Sequence, residues 1–310
     1  MSTLPPTFAP LLASIKNALN DALRNEKQNV SEHVTHPPFE FDYIDSATPN
    51  AYAVSIGGRS FIGVTLPLVR VLWDTCTRLS ESPALIAFLG VPILPDSRDV
   101  IHAVMFQTQL AFVVAHEYTH HVHGHQPQSA AAPTPFSEIL ISNNAGSLES
   151  QAFEIDADGY AVYHVLAHLI QGALRSIATD SLGCKEWEEA KQDEVLFSLF
   201  VVAIGGFLFV VPPIPLDPST IYTLSHPPQA ARMNWIMYNA IGWCKQNRPA
   251  LEARMRQDRF QMLMRIAAGA TWGMNGGKDW SEQTTFLQSE SGSEYMKKLD
   301  AKVKEHILSL

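Results

Sequence analysis

Two pairs of potential metal-binding side chains constrain the fold of this 310-residue chain more than any other feature. The first pair is His116 and His120, and the second is Glu154 and Asp158. Residues at i and i+4 share one face of an α-helix, so each pair predicts a helix with a polar face. The intervening residues 121–153 are long enough for the chain to turn back. We therefore expect two helices packed with these faces toward each other.

The segment from His116 to His120 reads HEYTH, a pattern typical of a catalytic zinc site. Two imidazoles one helical turn apart can bind a single ion, and Glu117 would lie beside the open coordination position. There it would act as a general base toward water. The apolar residues LAFVVA at 110–115 indicate that this helix is buried and rigid, as ligand geometry requires.

A zinc ion held by two histidines needs a third protein ligand and an open fourth position. Glu154 can supply that ligand, which predicts one zinc ion per chain. Asp158 lies one turn further on, where it can accept the N–H of a ligating imidazole, that of His116. Glu149 is the rival third ligand, although an exposed position at the helix start suits it better. Asp156 lies about 200° around the helix from Glu154, so it is expected on another face.

The remaining histidines near these motifs have weaker claims to a role. His121, His123 and His125 are expected to be exposed or loosely structural, with a second metal site among them as the lesser alternative. His164 and His168 follow Glu154 by ten residues or more, about 15 Å along a helix, and are not expected to be ligands.

The pattern of apolar residues predicts a mainly α-helical (α+β) chain with one small sheet. The segments AYAVSI and RSFIGVT flank Gly57-Gly58, which is typical of a β-hairpin. Loops are predicted at 126–136 and 273–292. Helices are predicted at 8–30, 67–90, 98–125, 146–178, 186–211, 227–246, 249–270 and 293–309.

Four motifs occur in order between residues 49 and 232. They are PNAYA at 49–53 before two glycines, HEYTH at 116–120 with His125 at the tenth position, EIDAD at 154–158, and His226-Pro227 with Arg232. Together they resemble the motifs of the HtpX-like and CAAX prenyl endopeptidase family of gluzincin metalloproteases. Residue 126 is Gln, so the third histidine of the metzincin pattern is absent. Pro228 departs from the resemblance, because the family has a small hydroxyl residue there.

The resemblance implies a zincin-like gluzincin fold, with a small β-hairpin beside the active-site helix and extra peripheral helices. It also implies zinc-dependent peptide hydrolysis, with His116, His120 and Glu154 as ligands and Glu117 as base. His226 then has two interpretations: a donor to the developing oxyanion, or a residue that precedes a helix begun by proline. Arg232 also has two: a partner for an acidic residue such as Asp158, or a surface cation.

The composition of the chain indicates which partners and which cellular compartment to expect. Acidic residues outnumber basic ones by 31 to 22, and the net charge of −9 argues against nucleic acid binding. The three cysteines are far apart without CxxC spacing, which favours free thiols in a reducing compartment. The N-terminal segment lacks the pattern of a signal peptide, so a cytoplasmic location is expected.

Only 17% of the residues are charged, which leaves membrane contact to be considered. Residues 195–211 carry no charge, but 17 residues are at the short limit for a spanning helix of about 20. A single crossing would also place His226 and His116 on opposite sides of the bilayer. We therefore expect a buried helix, with a membrane-associated protein as the alternative.

These features predict a helical extension at 1–48, a metallopeptidase domain at 49–246 and a second helical extension at 247–310. The expected activity is zinc-dependent endopeptidase cleavage of a peptide or protein. One alternative is a Lit-type phage-exclusion protease that cuts a specific cytosolic protein. The other is a scaffold or regulatory module that binds zinc without catalysis.

Overall fold

A computed structural model of the chain describes residues 8–29, 39–56, 59–125, 146–211, 216–273 and 276–308. These residues form a mainly helical fold with one three-stranded sheet, which confirms the expected fold class. The helices are α1 (Phe8–Asn29), α2 (Leu66–Ser80), α3 (Pro83–Leu89), α4 (Ser97–Val122), α5 (Leu148–Leu166), α6 (Ala173–Ser181), α7 (Glu189–Leu208), α8 (Gln229–Asn247), α9 (Pro249–Glu252), α10 (Gln257–Trp272), α11 (Gly276–Gln288) and α12 (Glu290–Ile307).

The sheet contains the predicted pair of strands and one strand that was not predicted. Strands β2 (Ala51–Ile56) and β3 (Arg59–Thr65) pair antiparallel, while the Gly57-Gly58 turn lies outside the described residues. Strand β1 (Phe39–Ile44) pairs parallel to β3, so the order is β1-β3-β2. Asn20 of α1 holds β1 in place: its Oδ1 accepts from the backbone N–H of Phe41 at 2.7 Å, and its Nδ2 donates to the carbonyl of Phe41 at 3.1 Å.

Helix α7 forms the centre of the core. Its residues from Val195 to Leu208 are all buried, as expected for the apolar stretch. The amide of Gln109 on α4 donates to the carbonyl of Ala203 at 2.7 Å, so a polar contact joins two buried helices. No helix within the described residues has the length and apolar character needed to cross a membrane.

Two helices predicted as continuous are divided in the structure. The helix predicted at 146–178 is interrupted, because α5 ends at Leu166 and a π-helical turn at Ala167–Gln171 precedes α6. The segment predicted as one helix at 67–90 is divided between α2 and α3, where Ser82 caps α3 and its side chain accepts from Leu85 N–H. The predicted 126–136 loop lies outside the described residues.

The loop predicted at 273–292 is wrong over most of its length, because α11 occupies Gly276–Gln288. Its Trp280 and Leu287, two turns apart, are both buried. The Trp280 ring lies 5.2 Å from that of Phe209. Tertiary packing against the core therefore stabilises a segment whose glycines and polar residues favour a loop.

A substitution at Gly206 of α7 tests how closely this helix packs against α2. A Cβ at Gly206 would lie 2.6 Å from Cδ1 of Leu79 and 3.2 Å from Cγ2 of Thr75, whereas a Cβ at exposed Gly269 of α10 would have no neighbour within 4 Å. We expect Gly206→Ala to lower the free energy of unfolding by about 1–3 kcal/mol through overpacking. Gly269→Ala, also inside a helix, should leave it unchanged or raise it by up to about 1 kcal/mol. Urea denaturation measures both, and equal effects would contradict the close packing.

Candidate metal centre

Helices α4 and α5 carry the two predicted pairs and pack against each other. The start of α5 is fixed by a capping box, in which Ser147 accepts from the N–H of Ser150 and the Ser150 hydroxyl accepts from the N–H of Ser147. This cap sets the register of α5, and therefore the face on which its carboxylates lie. At Gly159 a Cβ would lie 3.1 Å from Nδ2 of Asn239, so α8 packs closely on the same helix.

His116, His120 and Glu154 converge, and we call these three residues the central group. The Nε2 atoms of the two histidines are 2.9 Å apart, and the Glu154 carboxylate lies 3.4 Å from each imidazole. One ligand atom from each residue lies within 4.8 Å of the others. His116 and Glu154 are buried, and 13% of the His120 side chain is exposed. The structure therefore brings the three sequence-predicted ligands together.

His226 also reaches the central group, from the segment before α8. Its Nε2 lies 3.4 Å from Oε2 of Glu154, and the residue is 2% exposed. The preceding chain is held against α5, because Gln151 donates through Nε2 to the carbonyls of Ile221 and Leu224 at 2.9 and 3.0 Å. Gly146 permits a close approach there, since a Cβ would lie 2.1 Å from the Leu224 carbonyl oxygen.

Asp158 connects the central group to α8. Its Oδ1 lies 3.0 Å from Nδ1 of His116, close enough to accept the imidazole N–H. Arg232 donates two hydrogen bonds to the same carboxylate, at 2.7 and 2.8 Å. In the structure Arg232 is therefore a buried partner of Asp158 and not a surface cation. A carboxylate in this position holds the ring of His116 in one orientation and favours a lone pair on Nε2.

Neighbouring groups favour the ionised form of the Glu154 and Asp158 carboxylates. Burial raises the pKa of Glu154, but the neighbouring His226, His120 and His116 outweigh burial and hold that pKa well below its usual value. Burial also raises the pKa of Asp158, and the charge and hydrogen bonds of Arg232 outweigh it, so this pKa too is lowered. Both groups are thus anionic near neutral pH, as a metal ligand and its hydrogen-bond acceptor require.

The central group fits a zinc ion. Two imidazoles and one carboxylate are a donor set found in catalytic zinc sites. Oε2 of Glu154 and Nε2 of His226 are buried and make no hydrogen bond to other described residues. Burial of a polar atom without a hydrogen bond lowers the stability of the folded protein unless another group binds that atom. A cation between the imidazoles of His116 and His120 would bind the Glu154 carboxylate.

The remaining candidate residues lie outside the central group of three ligands. Glu117 is 3% exposed on α4, adjacent in sequence to His116. Glu149 lies in the first turn of α5 and is exposed, and the central group does not include it. His164 and His168 are also not members of either group of converging ligands within the described residues.

The expectation for the histidines after α4 is wrong for His125, whose side chain is only 1% exposed. His123, His125, Asp156 and His306 form a second set of converging ligand atoms, which we call the outer group. The sequence offered one signal for it, the repeated histidines after His120. It offered none for His306, because the contact of that residue with His125 spans 181 positions of the chain.

The pairing of Arg232 with Asp158 predicts a large loss of stability when the cation is removed. We expect Arg232→Met to lower the free energy of unfolding by about 3–5 kcal/mol, because a buried carboxylate loses its partner. Arg256→Met is the matched control, since the Arg256–Asp258 pair is exposed and should contribute little. Equal shifts of the urea midpoint in both variants would show that the buried pair does not hold α5 and α8 together.

A comparison with protein families identifies the chain. Residues 23–240 match the model of peptidase family M48, a span that contains all four motifs. No curated protein and no solved structure gives a significant match. Because the family match covers most of the chain, this chain belongs to the M48 family of metallopeptidases, whose members are zinc-dependent in general.

Proposed function

We propose that this metallopeptidase is a zinc-dependent endopeptidase with His116, His120 and Glu154 as the metal ligands. The observation that carries the proposal is the convergence of these three side chains, all within 4.8 Å, between two packed helices. As a peptidase the protein acts on a peptide or protein substrate. The acidic net charge argues against nucleic acid as a partner.

Each residue around the central group has a role in this proposal. Zinc would act as a Lewis acid on the scissile carbonyl and would activate water for attack. Glu117 accepts the proton from the attacking water and passes it to the leaving amine. His226 donates a hydrogen bond to the oxyanion that develops on the carbonyl. Asp158 orients His116, and Arg232 holds Asp158 in place.

We also propose the arrangement of the chain and its location. The catalytic domain spans 49–246, the segment 1–48 holds α1 and contributes β1 to the sheet of that domain, a helical extension covers 247–310, and the protein is cytoplasmic. Edge strand β2 near α4 is a candidate surface for an extended substrate. The two remaining alternatives are a Lit-type protease with one target and a zinc-bound module without turnover.

Removal of Glu154 tests the ligand set. After dialysis against metal-free buffer to remove weakly held metal, we expect native protein to keep one tightly bound zinc ion and Glu154→Ala to lose this ion, because two imidazoles alone leave the ion without its carboxylate ligand. Native mass spectrometry counts the metal. Glu149→Ala is the matched control, since Glu149 is an exposed carboxylate on the same helix. Zinc retained by Glu154→Ala and lost from Glu149→Ala would assign the ligand to the rival residue.

Removal of the general base tests the mechanism. Glu117→Gln should lower peptide cleavage by at least about a hundredfold while zinc stays bound, because the amide cannot accept the proton. Digestion of casein and of a peptide library, with and without a chelator, measures the activity. Glu149→Gln should behave as the native protein does.

The same digestion separates the alternatives. Full activity in Glu117→Gln would exclude Glu117 as the base. Absence of any chelator-sensitive cleavage by the native protein would favour the zinc-bound module. Cleavage of one protein in a cell extract, with none of casein or the library, would favour the Lit-type alternative.

A further inference from the structure

The outer group lies beside the central group, on the other side of His120. His123 and His125 follow the end of α4, Asp156 lies on α5, and His306 lies near the end of α12. One ligand atom from each lies within 4.8 Å of the others. The group therefore joins three helices that are far apart in the sequence.

The distances within the outer group suit a common ion. Oδ2 of Asp156 lies 2.5 Å from Nδ1 of His123 and 3.1 Å from Nε2 of His125. Nε2 of His125 lies 2.9 Å from Nε2 of His306, which is 3.9 Å from the same carboxylate oxygen. Ligands about 2.0–2.1 Å from a tetrahedral zinc ion are separated by about 3.4 Å, so small shifts suffice.

The backbone places these side chains for local reasons. Gly124 has a φ of 69°, a conformation that glycine adopts readily, and it turns the chain back after α4. As a result the N–H of His125 donates to the carbonyl of His120 at 3.0 Å. Asp156 faces the outer group because it lies about 200° around α5 from Glu154.

Aromatic packing fixes the orientation of the imidazoles. The ring of Phe153 stacks on His125 with centroids 4.7 Å apart and also contacts the edge of His306 at 4.8 Å. Tyr160 lies 5.4 Å from the ring of His123. The side chains of His123 and His306 are 19% and 15% exposed, so an ion could enter from solvent. Oriented and partly accessible ligands are what a metal site needs.

We propose that the outer group binds a second divalent metal ion, of the zinc class, that fastens α12 to α4 and α5. Three imidazoles and one carboxylate suit zinc and similar borderline ions, while calcium and magnesium prefer oxygen ligands. Four protein ligands also close the coordination sphere, which is typical of a structural site and not of a catalytic one. The proposal does not depend on the catalytic role of the central group.

The two groups share one hydrogen bond, which predicts their relative affinities. Nδ1 of His120 lies 3.0 Å from Nδ1 of His125. When Nε2 of His120 faces a cation, the His120 proton lies on Nδ1 and is donated to His125. The proton of His125 then occupies Nε2, so the second ion must displace this proton to solvent, or break the hydrogen bond to His120, before Nε2 can bind it. We therefore expect the second ion to bind more weakly than the first.

Zinc titration of the intact protein tests the site. Equilibrium dialysis followed by metal analysis should give one tightly bound equivalent and a weaker second one. His306→Gln and His123→Gln should weaken the second equivalent by at least about tenfold and leave the first intact. His168→Gln is the control, since this exposed histidine belongs to neither group. In Glu154→Ala the second equivalent should bind at least as tightly, which separates this proposal from the proposed function.

Hydrogen exchange gives an independent readout of the same site. The second equivalent should slow the exchange of the amides at 300–307 in the native protein and not in His306→Gln. The proposal is overturned if no second equivalent binds, if His306→Gln and His123→Gln bind it as the native protein does, or if His168→Gln weakens it equally. Unchanged exchange in α12 on saturation would also overturn the fastening role.

Discussion

The carboxylate of Asp158 is the interaction on which the arrangement of the site depends. It lies on α5, contacts His116 of α4 at 3.0 Å and accepts two hydrogen bonds from Arg232 of α8. A fully buried carboxylate is tolerated only with such partners. The three helices must therefore be in place together, and the start of α8 then brings His226 to Glu154.

The composition of the chain agrees with this construction. Only 17% of the residues are charged, because long helical stretches are buried in the core, above all Val195–Leu208 of α7. Helix α4 packs on α7 through its apolar positions and presents His116 and Glu117 from a buried backbone. Charges in such surroundings interact strongly and are costly to move. A rigid apolar support is thus a physical requirement for the metal centre, and the low charge content follows from it.

Local sequence patterns predicted the central group, the β2–β3 pair and the buried helix α7, and they missed features that depend on distant partners. His116, His120, Glu154 and Asp158 follow from the helical period, and the spacing between the pairs implies two packed helices. Strand β1 was missed because Asn20 and β3 stabilise it from outside its own sequence. Helix α11 was missed because burial of Trp280 against the core outweighs its local propensity. His306 was missed because its partners precede it by more than 100 residues.

X-ray absorption at the zinc edge of the native protein tests the central claim most directly, because it reports the atoms around the ion itself. With one equivalent of zinc bound, the account predicts two imidazole nitrogens and carboxylate or water oxygens at about 2.0–2.2 Å, in four- or five-coordinate geometry. A sulfur scatterer at about 2.3 Å would place the ion on a cysteine and contradict the account. So would a shell of oxygens without imidazole, since it would separate the ion from His116 and His120.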